Sequence, residues 1–153
     1  MKTRSLLVGL VAPLVLLFAT SAAFAHVDPL EGCTPGYWKQ SQHFDSWPAP
    51  YSPQSNLRDV FVTSPETLVP DETFLDALNY SGGPGVDGAI RILLRAAVAA
   101  LLNATAPDVD FAVGAGHVIN TSIDRMQKGR HSILVRAEYF DELNNGPEGC
   151  PLN

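Results

Sequence analysis

The sequence predicts an all-α fold: a small bundle of about four helices behind a long Pro- and aromatic-rich N-terminal loop layer, with its ends joined by a disulfide. Three observations carry this expectation. Apolar residues recur at helical spacing between residues 71 and 146, and no stretch alternates with period two. Seven prolines punctuate residues 26–70, where they break helices and central strands. The only two cysteines, Cys33 and Cys150, stand near the two ends of the chain.

Residues 1–25 read as a leader rather than as part of the fold. Lys2 and Arg4 form a positive start, residues 6–18 are an apolar run, and Ala23-Phe24-Ala25 is a small-x-small cleavage signal. A membrane span needs about 20 apolar residues, more than this run offers. Cleavage after Ala25 starts the mature chain at His26; cleavage after Ala23 is the alternative. The expected division is thus a signal peptide at 1–25 and a single secreted helical domain at 26–153, placed outside the cell or in the periplasm. Losing Lys2 and Arg4 moves the formal charge from −6 to −8. An acidic chain without clustered Lys and Arg argues against nucleic acid and anionic lipid as partners. No second stretch is long enough to cross a bilayer.

The elements follow in order. Between residues 26 and 70, only 56–61 has the pattern of a short helical turn. Asp71 is a fair N-cap for a first helix carrying Phe74, Leu75 and Leu78 on one face. Gly82-Gly83-Pro84-Gly85 ends it. Asp87 can cap a second helix over 88–102, apolar almost all round and therefore central and buried. A third helix is expected over 116–128 with Gly129 near its C-terminus, opened by Gly114-Ala115-Gly116-His117 without a capping box. Ser132 is the expected N-cap of a fourth, which turns Ile133, Leu134, Ala137, Phe140 and Leu143 inward.

In an exported chain the simplest reading of Cys33 and Cys150 is one disulfide joining the ends, with two free thiols or intermolecular pairing as alternatives. Five aromatics fall within fifteen residues: Tyr37, Trp38, Phe44, Trp47 and Tyr51. They read first as plugs for the open side of the bundle. In the sharper reading some stay exposed, so that Tyr37, Trp38, Lys39, His43, Trp47 and Tyr51 form a binding surface. Trp38 then suits the core and Trp47, close to prolines, the outside. Pro35-Gly36 fits a type II turn with positive φ at Gly36.

The run Cys33-Thr34-Pro35-Gly36-Tyr37-Trp38-Lys39 resembles a motif of secreted bacterial and archaeal proteins without an assigned activity. The run 97–104 followed by Pro107-Asp108-Val109-Asp110, and the ending Gly149-Cys150-Pro151-Leu152-Asn153, are similar to the same proteins. The resemblance implies secretion and a small compact domain, and it brings no catalytic residues. It also implies a bacterial origin, under which the Asn-x-Ser/Thr sequons at Asn79, Asn103 and Asn120 are chance.

Catalytic signals are weak. No Gly-x-Ser-x-Gly elbow frames a serine, and Asp141 and Glu142 are adjacent on a helix and face apart. Asp108 and Asp110 lack the remaining ligands of a calcium loop. Arg91 and Arg95 share a helical stripe and read as partners of loop carbonyls or Asp residues before they read as an anion clamp. His26 at a mature N-terminus would offer an amine and an imidazole to copper, with His43 or His117 completing a three-nitrogen metal site. The expectation is therefore an extracellular or envelope-associated binding or structural module, leaning away from catalysis and without a cofactor. A small copper protein and a carbohydrate-binding module are the alternatives; polysaccharide or another envelope protein is the expected partner.

Overall fold

The computed structural model describes residues 30–63, 65 and 68–152. The expected leader at 1–25 and His26 lie outside the described residues. The fold is all-α. Its helices are α1 (Pro35–Trp38), α2 (Leu57–Val60), α3 (Phe74–Leu78), α4 (Gly85–Asn103), α5 (Ala115–Met126) and α6 (Arg130–Asn144), with a 3₁₀ helix over Ser41–Ser46. Among the described residues there is no strand, only an isolated antiparallel bridge between Asn56 and Thr73. No helix among them is long and apolar enough to cross a membrane.

α4 is the axis of the molecule, as its composition requires. Thirteen of its nineteen residues are buried, and its alanines let neighbouring backbones approach closely. α6 lies along it, and α5, α3 and α1 also pack on it. The gaps between helices are filled by Leu93, Leu94, Leu101, Leu102, Ile133 and Phe140, all nearly inaccessible to water.

Helix ends differ from the expected ones wherever a cap was chosen by residue type alone. α3 is capped by Thr73, not Asp71: Thr73 accepts from the Asp76 amide, and Asp76 accepts from the Thr73 amide, a reciprocal capping box. Asp71 instead accepts a hydrogen bond from Asn56 Nδ2. α4 starts at Gly85 behind Pro84, so Asp87 sits inside its first turn, facing the helix dipole rather than capping it. α6 starts after Gly129, whose φ of 83° turns the chain sharply out of α5, leaving Ser132 within the helix. Pro35-Gly36 is not a type II turn. Thr34 accepts from the Tyr37 amide, and Pro35 occupies the first helical position that proline favours, so Gly36 needs no positive φ.

The N-terminal layer is ordered by bonds rather than by periodicity. Asn56 accepts from the Arg58 amide and opens α2. The Leu57 amide donates to Glu72, and the Phe74 amide donates to Ser55, so the entries to α2 and α3 are laced together.

Candidate functional site

The motif at 33–39 builds a buried polar knot at one end of α4. Cys33 and Cys150 form the disulfide, closing a sequence separation of 117 residues. Asn103, at the end of α4, is fully buried. Its Oδ1 accepts from the Cys33 amide at 3.0 Å and from Trp38 Nε1 at 3.1 Å. Its Nδ2 donates to the Cys33 carbonyl and to Asn144 Oδ1, both at 2.9 Å. Asn144 in turn donates to the Ala96 carbonyl at 2.9 Å. One amide thus ties the disulfide, α1, α4 and α6 together with both ends of its side chain in use. A sequon asparagine held this way is closed to glycosylation in the folded chain.

The aromatic cluster lies on the same knot, and here the sequence reading of exposure needs correction. Trp47 is not the exposed ring: it is 9 % accessible, donates from Nε1 to the Trp38 carbonyl, and packs edge-on against Trp38 and Phe44. Tyr37 is 6 % accessible, and its hydroxyl donates to the Leu152 carbonyl at 2.9 Å. Trp38 is fully buried, and Tyr51 is half-buried against Phe74, where burial raises its phenol pKa. No flat platform of several exposed rings results. Of the six residues expected to form a surface, Lys39 is exposed, while His43 is half-buried and stacked on Tyr37 at 3.9 Å between ring centroids.

Two grooves border this knot, the first of them mostly polar. One, of about 510 Å³, runs between α1, the loop after α3 and the end of α6; its functional side chains are Lys39, Ser81, Arg95, Asp141 and Asn145. The other, of about 490 Å³, is lined by Tyr37, Gln40, His43 and the disulfide end at Cys150. They share Thr34, Gly36 and Asn145. Arg95 donates to the Tyr80 carbonyl at 3.3 Å. Arg91, on the same stripe, does not join it: it lies 4.0 Å from Glu72 and over the Tyr80 ring. Tyr80 is buried with no hydrogen-bond partner on its hydroxyl; burial and then the neighbouring Glu72 raise its pKa, while Arg91 opposes them.

His26 lies outside the described residues. His43 rests on Tyr37 and His117 is exposed on α5. Among the described residues no group of three His, Cys, Asp or Glu side chains is placed to hold a metal ion. Sequence reasoning missed the Asn103 knot and the meeting of Lys39 with Arg95 and Asp141. The available signal was a lone asparagine closing an apolar helix; the groove itself joins residues that are distant in the chain. No family model matches this chain, and no curated protein or solved structure is significantly similar to it.

Proposed function

We propose that the protein is an exported binding module of the cell exterior or envelope, and that it holds a hydrophilic ligand in the confluent grooves over α1. The observation that carries this reading is that residues 33–39 are both fixed and groove-lining. Cys33, Thr34, Tyr37 and Trp38 are held by the disulfide, a cap and hydrogen bonds, and Thr34, Pro35, Gly36 and Lys39 line the first groove. A rigid floor reduces the ordering cost of binding. The lining of the first groove is dominated by amide, hydroxyl and charged groups, which suits a polar ligand. The leader-like residues 1–25 and the paired cysteines support export.

The test has two arms. Intact mass of material recovered outside the producing cell should correspond to a chain beginning at His26 or Phe24, two hydrogens short of the dithiol form. In affinity electrophoresis through a panel of polysaccharides, at least one polymer should retard the protein, and Asn145→Trp, which fills the shared rim, should abolish the retardation while leaving the circular dichroism unchanged. Retardation that survives Asn145→Trp would remove the grooves as the binding site, and a full-length intracellular product would remove export.

A further inference from the structure

The first groove is where the charge character of the chain reverses. Sixteen acidic residues outnumber ten basic ones overall. Of the eight cationic side chains after residue 25, Arg58, Arg91, Arg125 and Lys128 each lie within 4.0 Å of a carboxylate. Arg136 covers the rings of Tyr139 and Phe140, and Arg130 donates to the Gly85 carbonyl. The remaining two, Lys39 and Arg95, make no ion pair among the described residues, and both line this groove. Arg95 is half-buried and uses one of its five N–H donors, on the Tyr80 carbonyl. A guanidinium partly withdrawn from water, with Asp141 and Glu138 nearby but no described carboxylate within 4.0 Å, keeps donors open to an anion arriving from outside.

The rest of the lining narrows the class of anion. Asp141 shares the groove with the two cations, leaving it with one net positive charge, which matches a monoanionic carboxylate better than a phosphate dianion. Asp141 and the amide of Asn145 are partners for hydroxyl groups. The confluence with the second groove suits an extended chain of repeating units rather than a single small molecule. The acidic surface elsewhere repels a densely charged polymer and tolerates one whose carboxylates are spaced apart. We infer that the groove recognises an acidic polysaccharide, with Lys39 and Arg95 clamping the carboxylate of a uronic acid unit and Asp141 and Asn145 taking hydroxyls of the same chain. This inference rests on the groove-binding reading above and names its ligand class.

Calorimetric titration of the disulfide-intact chain tests it with three probes: a hexasaccharide alternating glucuronate and N-acetylglucosamine, its carboxyl-reduced counterpart, and an Asp/Glu hexapeptide. The acidic hexasaccharide should bind at least tenfold more tightly than the reduced form. Lys39→Gln and Arg95→Gln should each lose about tenfold toward the acidic probe and change little toward the reduced one. Lys39 is exposed, so Lys39→Gln keeps the test valid should Arg95→Gln fold poorly. Equal binding of both saccharides, abolished by Asn145→Trp, would overturn the carboxylate clamp and leave the groove reading standing. Tighter binding of the hexapeptide would overturn it in favour of a protein partner. Binding of none of the three would overturn it as well, while the wider polysaccharide panel decides the groove reading separately.

Discussion

The layer over residues 30–73 and the α4–α6 pair are held together by different physics. Apart from the bonds of Asn144 to Asn103 and Ala96 at one end, α4 and α6 meet through apolar side chains and alanines, so a residue of similar volume and polarity would serve at most positions. The layer has only the four-residue α1 and α2 and the six-residue 3₁₀ helix, all too short to persist on their own. What fixes it is a small number of directed bonds, with Asn103, Trp38, Trp47 and the disulfide at their centre. A region held by burial degrades gradually under substitution, whereas a region held by directed bonds depends on individual atoms. The grooves lie where the two regions meet, so their geometry depends on both.

The largest expected effect comes from removing the disulfide. In the chain-entropy model a loop of more than 100 residues loses about 4–5 kcal/mol of stability when opened. Cys33→Ser with Cys150→Ser should therefore shift the urea midpoint strongly downward. The comparison adds a sharper expectation: amide exchange should accelerate first over residues 30–61, with α4 protected longest. Simultaneous loss of protection in α4 and the layer would show that the two are one cooperative unit.

Next comes Asn103→Ala. It strips partners from the Cys33 amide and carbonyl, Trp38 Nε1 and Asn144, all in the interior, and leaving buried polar groups unpaired should cost about 3 kcal/mol in total. Trp38→Phe, which keeps most of the apolar bulk and removes one donor, should cost less, about 1–2 kcal/mol. If the two variants are equally stable in urea titration, the knot is packing rather than hydrogen bonding, and the contrast between the regions fails.

These bonds also mark where sequence reasoning stops. The central helix was legible because it is apolar almost all round, with thirteen of its nineteen residues buried, and the short turn at 56–61 was legible from its pattern between prolines. The cysteine pairing was legible as the simplest of several options. Trp47 was misjudged because what covers an aromatic ring is settled by distant partners: its neighbours Trp38 and Phe74 approach from separate elements. Caps were misplaced where Asp71 and Thr73 competed, since only the reciprocal bond with Asp76 decides between them. The groove was invisible because Lys39, Arg95 and Asp141 come from three separate segments.

A test from the helical side is Ala99→Leu. Ala99 is fully buried in α4, and forcing extra methylenes into a packed interior typically costs about 1–3 kcal/mol. Here the loss should be read in the unfolding rate and melting temperature without selective exposure of the layer, the opposite signature to the disulfide variant. Preferential exchange in residues 30–61 would mean that α4 packing, and not the knot, positions the layer.

The smallest effect lies at the seam, in the capping box of α3. Thr73→Ala removes the bond that Thr73 Oγ1 accepts from the Asp76 amide and the one it donates to Asp76 Oδ2, keeps the backbone bond from the Thr73 amide to that carboxylate, and should cost about 1 kcal/mol at neutral pH. The side-chain bond from Thr73, and then the backbone bond, lower the Asp76 pKa. A carboxylate whose folded pKa is depressed contributes its stability above its unfolded pKa, near 3.9, and loses it as pH falls through the folded value. The unsubstituted chain should therefore lose part of its advantage over Thr73→Ala on acidification below about pH 4, a modest part because the cap bond from the Asp76 amide does not titrate and because Asp76 is exposed and solvent screens it. Urea midpoints of both chains from pH 7 to pH 2.5 measure this directly. A constant difference across that range would show that Thr73 acts through the Asp76 amide alone, with the carboxylate a bystander at the junction of layer and bundle.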